Sequence, residues 1–322
     1  MRQAGRYLPE YRALRARYGM EECLSSAELA AEITLQPLAR IPFDAAIVFA
    51  DLLPPLNGMG LEVRFTDAEG PRIARTLDSP RDIDLLAAPP AAEILAPTLA
   101  AIRILKPELD ARGTPLIGFA GAPFTLASYA IEGGTSRTFT KTKALMYREP
   151  AAWARLMAKL VTVLADFLLE QAKAGAAALQ VFDSWAGIAL GRDDYVRYVQ
   201  PWNGQLFSAV AAAGVPVINF STGTGAYIKD VAACGGTVMG VDWRMPLACY
   251  REALGASLPV QGNLDPTVLL GPWREIAPRV DAIMRCGRTG HVFNLGHGVL
   301  PETPVETVQR LVDYVHQWKE PA

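Results

Sequence analysis

Short apolar, β-branched runs recur along the chain, and each ends in a polar or glycine-containing signature. Ala45–Phe49 precedes Ala50-Asp51, Leu116–Phe119 precedes Ala120-Gly121, and Leu179–Phe182 precedes Asp183-Ser184-Trp185. Val215–Phe220, Val238–Val241, Leu258–Gln261 and Val292–Leu295 repeat the pattern, closed by Ser221-Thr222-Gly223, Asp242-Trp243, Gly262-Asn263 and Gly296-His297-Gly298. Continuously apolar runs predict strands covered on both faces, and amphipathic stretches of helical period lie between them, over Pro150–Gly175, Asp193–Gly214 and Trp273–Gly287. Alternating β and α elements of this kind imply parallel strands. Near the N-terminus a helix is expected from about Tyr7 to Tyr18, with Arg12, Arg15 and Arg17 on its solvated face. Ser25 with Glu28 predicts a capping box for a helix that ends near Ile41. Thr303 with Pro304 and Glu306 predicts another for the last helix. Leu61–Phe65, bracketed by Gly60 and Gly70-Pro71, predicts an extra strand of a hairpin inserted after the second barrel strand.

Seven βα units with no Pro/Gly/Ser-rich linker between them favour one α/β domain over residues 1–322, a (β/α)8 TIM barrel, over two doubly wound halves. The strand that is short of eight is expected at the front, because the Arg-rich opening leads directly into a helix. Strand 1 is therefore read as missing or truncated, either because the chain begins late or because that strand lies in residues not given.

Composition narrows the function. A hydrophobic content of 51% with 20% charged residues describes a well-packed soluble chain. No apolar run is long enough to span a bilayer, and the charged N-terminus has no apolar stretch behind it to act as a secretory signal, so a cytoplasmic location is expected. Cys23, Cys234, Cys249 and Cys286 are scattered without paired spacing, which fits buried thiols in a reducing compartment and no metal site. A net charge of −2 argues against nucleic acid and for local positive charge wherever an anion is bound.

That local charge sits at the start. Five arginines fall within the first seventeen residues, and Arg2 and Arg6 flank Gln3-Ala4-Gly5, where a glycine lets the backbone turn and both guanidinium forks converge on one polyanion. Barrel active sites are built at the C-terminal ends of the strands, so Asp51, Ser184, Asp242, Asn263 and His297 are expected to face a common mouth beside this loop. Polar residues there also serve as helix N-caps. Asp51 is the exception, since Leu52-Leu53-Pro54-Pro55 does not begin a regular helix. His297 has glycines on both sides that leave its ring room to reach the mouth, Tyr129 alone reads as a core aromatic, and His291 and His316 read as structural. Gly223-Thr224-Gly225 is a weak carboxylate-cradling signal shared by many turns.

Met1-Arg2-Gln3-Ala4-Gly5-Arg6-Tyr7-Leu8-Pro9-Glu10-Tyr11-Arg12 and Gly118-Phe119-Ala120-Gly121-Ala122-Pro123-Phe124-Thr125-Leu126-Ala127-Ser128-Tyr129 resemble the two signatures of the uroporphyrinogen decarboxylase family. Phe182–Gly187, Gly240–Trp243, Gln261–Pro266 and Asn294–Gly298 with Pro301 extend the resemblance over essentially the whole chain. It implies a cofactor-free lyase of haem biosynthesis. The family's enzymes are distorted (β/α)8 barrels that work as homodimers and convert the four acetate side chains of uroporphyrinogen III to methyl groups, giving coproporphyrinogen III. By the same resemblance Arg2 and Arg6, within the loop Arg2, Gln3, Ala4, Gly5, Arg6, meet substrate carboxylates. Asp51 accepts hydrogen bonds from the pyrrole NH groups, and Tyr129, Ser184 and His297 contact the substrate. The family usually has about two dozen residues ahead of the first signature, where this chain has Met1 alone.

The chemistry suits these residue types. A substrate with eight carboxylates needs guanidinium forks at the rim, and four converging NH donors need one anionic acceptor at the centre. Without a cofactor, the electron pair left by CO2 has only the protonated pyrrole ring as its sink, and a nearby carboxylate stabilises that ring cation. The proton donor stays open among Arg2, on position, and His297 or Tyr129, on acidity. A non-catalytic tetrapyrrole-binding relative is the first alternative. A zinc- or corrinoid-dependent methyltransferase is the second, and it would need a Cys/His ligand set at the strand ends.

Overall fold

The seven apolar runs form one sheet of seven strands, and every neighbouring pair is parallel. In the computed structural model, residues 3–66, 70–287 and 289–319 are described. The strands are β1 (Ala46–Ile47), β4 (Leu116–Gly121), β5 (Ala178–Asp183), β6 (Val217–Ser221), β7 (Val238–Gly240), β8 (Val260–Leu264) and β9 (His291–Leu295), in that order across the sheet. The inserted hairpin is also present, as β2 (Val63–Thr66) antiparallel to β3 (Gly70–Ile73). β6 and β8 are buried along their whole length, as continuously apolar runs require. Helices supply the outer layer. The longest, Pro150–Ala174, turns Trp153, Leu156, Leu160, Leu164 and Leu168 inward at helical spacing and ends at Gly175.

The sheet curls, so that its two edge strands line one cavity of about 410 Å³. Ile47 contributes from the β1 side and His291, Val292 and Phe293 from β9, and the C-terminal helix Val305–Gln317 covers the gap with Val308, Leu311 and Val312.

β1 is far shorter than its apolar run predicts, and side-chain amides explain why. Val48 N–H still reaches the Ile117 carbonyl on β4. The next rung on that side of β4, Phe119, is taken by Gln171 from the long helix. Its Oε1 accepts the Phe119 N–H at 2.8 Å and its Nε2 donates to the Phe119 carbonyl at 2.9 Å. Gly118 has to be glycine beside it, since a Cβ there would lie 2.4 Å from Gln171 Oε1. With its rung occupied, β1 parts from β4 and carries the segment up to Asp51 away from the sheet. The outer edge of β1 is closed in the same way: Gln3 bonds the Ala45 carbonyl at 2.6 Å and the Ile47 N–H at 2.8 Å, and Thr34 Oγ1 accepts the Phe49 N–H at 2.8 Å.

Several helix boundaries differ from expectation: the first helix is Pro9–Arg15, inside the expected Tyr7–Tyr18, and the helix expected to end near Ile41 stops at Leu35 ahead of Pro37. Ser26, not Ser25, caps the helix Ala27–Leu35, accepting the Leu29 N–H at 3.2 Å, because Ser25 already closes the preceding helix Met20–Ser25. The stretch 193–214 divides into Arg192–Tyr198 and Gln200–Val210, since Pro201 has no N–H to continue a helical ladder. The last helix begins at Val305 with Pro304 as its N-cap, and the Thr303 hydroxyl is buried without a hydrogen-bond partner among the described residues.

Replacing Gln171 by Leu keeps the volume but strips partners from both backbone groups of Phe119. We expect it to lower the free energy of unfolding in urea by about 2–4 kcal/mol. An unchanged midpoint would show that water replaces the amide at no cost.

Candidate functional site

Where β1 parts from the sheet, the chain turns through Asp51. A short helix, Pro54–Gly58, follows, contrary to the reading that the two prolines exclude one. Proline is tolerated in a first helical turn, and this helix is only five residues long. Asp51 is not its cap: Leu53 holds that position, and Asp51 Oδ1 accepts the Leu53 N–H at 3.0 Å in a local Asx turn. The carboxylate is thus oriented by its own backbone and remains half-buried.

Tyr129 comes to the same place from the helix Pro123–Glu132 after β4. Burial pushes its phenol up to about 12, and the negative charge of Asp51 adds to the rise, so the two side chains share one environment. The ring stacks on Trp185 with centroids 3.9 Å apart, and Phe139 packs edge-on against the same indole, 5.4 Å from Trp185. Phe139 is fully buried with φ 51, a left-handed conformation that a bulky residue takes only when its surroundings hold it there.

Ser184 and Trp185 are held by a buried network behind them. Thr125 donates to Asp183 Oδ1 at 3.0 Å and accepts the Ser184 N–H at 3.0 Å, and Asn203 Nδ2 donates to Asp183 Oδ2 at 3.2 Å. Removal from water raises the Asp183 carboxyl to about 6, against the lowering effect of these hydrogen bonds and of the Ala186 N–H. Gly187 then lies directly on the next loop, where a Cβ would meet the Thr222 carbonyl at 2.3 Å.

Just past the end of β9, His297 is exposed and its ring lies at a steep angle to that of Trp243, with centroids 5.9 Å apart. Gly296 is needed for close approach, since a Cβ would lie 2.5 Å from the Trp243 nitrogen. Asp242 and Asn263, expected to face the mouth, do not. Both are buried, and Asn263 Nδ2 braces the β7 loop through the carbonyls of Asp242 and Met245, each at 2.8 Å.

In the opening loop Arg6 is exposed, Ala4 packs against the core, and the buried Gly5 closes a turn by accepting the Leu8 N–H at 3.0 Å. Gln3, expected to contact substrate, has its carboxamide committed to the edge of β1. Arg2 lies outside the described residues. His291, read as structural, donates from Nε2 to the Gly262 carbonyl at 2.7 Å, and burial holds its pKa below the ordinary histidine value. The Thr125–Asp183–Asn203 network escaped sequence reading because its members lie far apart in the chain, Thr125 in the unit after β4 and Asp183 and Asn203 in the unit of β5. Their one visible sign was the polar Asp183-Ser184 at the end of an apolar run.

The chain is similar to known proteins along nearly its whole length. The family model described as Uroporphyrinogen decarboxylase (URO-D) matches residues 1–318. The curated uroporphyrinogen decarboxylase of Roseiflexus sp. (strain RS-1) is 50% identical over 325 residues, covering 99% of this chain and 93% of its own length. A curated uroporphyrinogen decarboxylase of Thermus thermophilus is 49% identical over 319 residues, covering 98% and 92%. Among solved structures, a methyltransferase from Methanosarcina mazei superposes with a TM-score of 0.79 at 21% identity, over 94% of this chain and 89% of its own, a likeness of fold alone.

The Asp183 carboxyl predicts a pH dependence. Its folded pKa lies above that of an exposed aspartate, so the native chain retains a proton that the unfolded chain has released. That stabilising contribution is complete below about pH 4 and is lost as pH rises through 6. Asp183→Asn does not titrate, and Asn203 Oδ1, buried without a partner among the described residues, can turn to receive its amide. Wild-type stability measured against this variant should fall by roughly 1–2 kcal/mol between pH 5 and pH 7.5. A constant difference would mean that Asp183 does not titrate in that window.

Proposed function

The chain belongs to the uroporphyrinogen decarboxylase family, and from that membership we propose how its site removes CO2 from the four acetate arms of uroporphyrinogen III to leave coproporphyrinogen III in porphyrin biosynthesis. The observation that carries the reading is the shared environment of Asp51 and Tyr129: a half-buried, backbone-oriented carboxylate with a neutral phenol beside it. Asp51 accepts the pyrrole NH groups and stabilises the ring cation that forms on protonation, an interaction stronger in the transition state than in the neutral ground state. Arg2 and Arg6 hold substrate carboxylates, and Ser184, fixed by Thr125, orients an acetate arm.

Burial that raises Tyr129 to about 12 makes it a weaker acid than an ordinary tyrosine and a steady hydrogen-bond donor at neutral pH. Of the two candidates chosen for acidity, His297 is therefore the better matched to proton delivery. Arg2 keeps its claim on position. The enzyme works without a cofactor, as a cytoplasmic homodimer. The tetrapyrrole-binding alternative differs only in lacking turnover, and the same assay separates the two.

In fold, the seven parallel strands are read as a distorted (β/α)8 barrel whose remaining strand position is the seam between β1 and β9. Both edges open onto one largely apolar cavity there, and β9 is only partly buried, unlike β6 and β8. A strand entering the seam would take over the bonds that Gln3 makes to Ala45 and Ile47.

Asp51→Asn should keep its circular dichroism and thermal midpoint while losing decarboxylation about a hundredfold or more, measured anaerobically by counting carboxylates left on reduced uroporphyrin. Activity equal to wild type would reduce Asp51 to a turn residue. A chain extended upstream of Met1 should slow hydrogen exchange at the β9 amides. Unchanged exchange there would argue against an eighth strand in the seam.

A further inference from the structure

The loop after β7 carries a second guanidinium at the mouth, and it is held unusually still. Asp242, 1% exposed, has four donors on its two oxygens. The Tyr250 hydroxyl donates to Oδ1 at 2.8 Å and the Arg244 backbone N–H to the same oxygen at 3.1 Å, while Gly223 N–H reaches Oδ2 at 2.7 Å and Arg244 Nη1 reaches Oδ2 at 2.6 Å. The last bond is one of five that a guanidinium can donate. The Arg244 group lies over the Trp243 ring, 4.3 Å from its centroid, and the His297 ring lies at a steep angle to the same indole, with centroids 5.9 Å apart. The Arg244 side chain nevertheless remains 44% exposed.

An exposed arginine in a surface ion pair usually sweeps through many rotamers and contributes little. Arg244 is different on three counts: its backbone is tied to the carboxylate that its side chain meets, that carboxylate is buried and fully occupied, and an aromatic plane fixes the tilt of the fork. Asp242 therefore acts as a support that orients the guanidinium. The remaining edge of the fork lies one indole away from His297, at the C-terminal ends of the strands.

We propose that Arg244 is a carboxylate-binding residue of the mouth, taking one peripheral carboxylate of the tetrapyrrole beside His297. The inference rests on the proposed decarboxylase reading and adds to it an anchor on the loop after β7. The fork serves binding and leaves the chemical step alone, so its loss should appear in KM and not in kcat.

The test is steady-state decarboxylation of reduced uroporphyrin by wild type, Arg244→Met and Arg244→Lys, with Arg279→Met as the control. Arg279 is an exposed arginine paired within its own helix to Glu275. Arg244→Met should raise KM about tenfold with kcat within about twofold, the size of one lost charged hydrogen bond. The control should leave both constants unchanged. Arg244→Lys keeps the pairing with Asp242 but has no fork for a second carboxylate, so it should raise KM as well; it serves as the readout if the Met variant does not fold. The double variant Asp242→Asn/Arg244→Met separates binding from repulsion by an uncovered Asp242: KM should stay high, and a return to the wild-type value would overturn the proposal. A KM for Arg244→Met and Arg244→Lys no different from the control would also overturn it. If wild type itself released no CO2, the decarboxylase reading would fail. Quenching of tryptophan fluorescence by uroporphyrin would then decide the inference separately, with equal affinity for wild type and Arg244→Met counting against it.

Discussion

A strand cannot end inside a protein without partners for its N–H and C=O groups, and the way this chain meets that requirement determines where its site lies. At the end of β1 the ladder is continued by side chains. Gln171 takes the Phe119 rung of β4, while Gln3 and Thr34 cover the outer edge from Ala45 to Phe49. At the other edge, Asn294 Oδ1 accepts the Leu295 N–H at 2.8 Å. Each substitution lets the backbone leave the sheet without stranding a polar group. Asp51 follows directly from the first of them, because β1 is free to diverge only once Gln171 has taken its place on β4.

Three aspartates at strand ends show how burial and donors divide one residue type among different duties. Asp242 is buried with four donors and works as a support. Asp183 is buried with fewer, its carboxyl is pushed up to about 6, and it fixes the loop that carries Ser184 and Trp185. Asp51 keeps partial contact with solvent and influences the charge state of Tyr129. Of the three, Asp51 alone is not fully buried, and it is the one proposed to meet a ligand.

The strands were legible because an apolar run closed by a polar signature is a local pattern, and all seven runs became parallel strands in one sheet. Trp273–Gly287 was legible to the residue, as its apolar positions recur at helical spacing between Pro272 and Gly287. What could not be read was anything fixed by a distant side chain. Nothing near Ala45–Phe49 announces that Gln171 will cut β1 to two residues, and nothing in Ser25-Ser26 says which serine is already inside a helix. At the site, Asp51 and His297 stood out through their neighbours in sequence. Tyr129 was singled out only by family resemblance, Asp183 depends on Thr125 from another βα unit, and Arg244 is set by Asp242, which Gly223 from the loop after β6 helps to hold.

The charge balance of the mouth follows from the same division. The chain is slightly acidic, at −2, yet the proposed ligand carries eight carboxylates, so a uniform surface field would repel it. Enclosing Asp183 and Asp242 behind hydrogen-bond donors shields two negative charges from a ligand, while the Arg6 and Arg244 side chains stay exposed. Peripheral cations and a single central carboxylate then match a macrocycle that is anionic at its rim and a hydrogen-bond donor at its centre. The arrangement distinguishes such a ligand from a small dicarboxylate, which could satisfy one arginine but would leave Asp51 facing another anion without a donor between them.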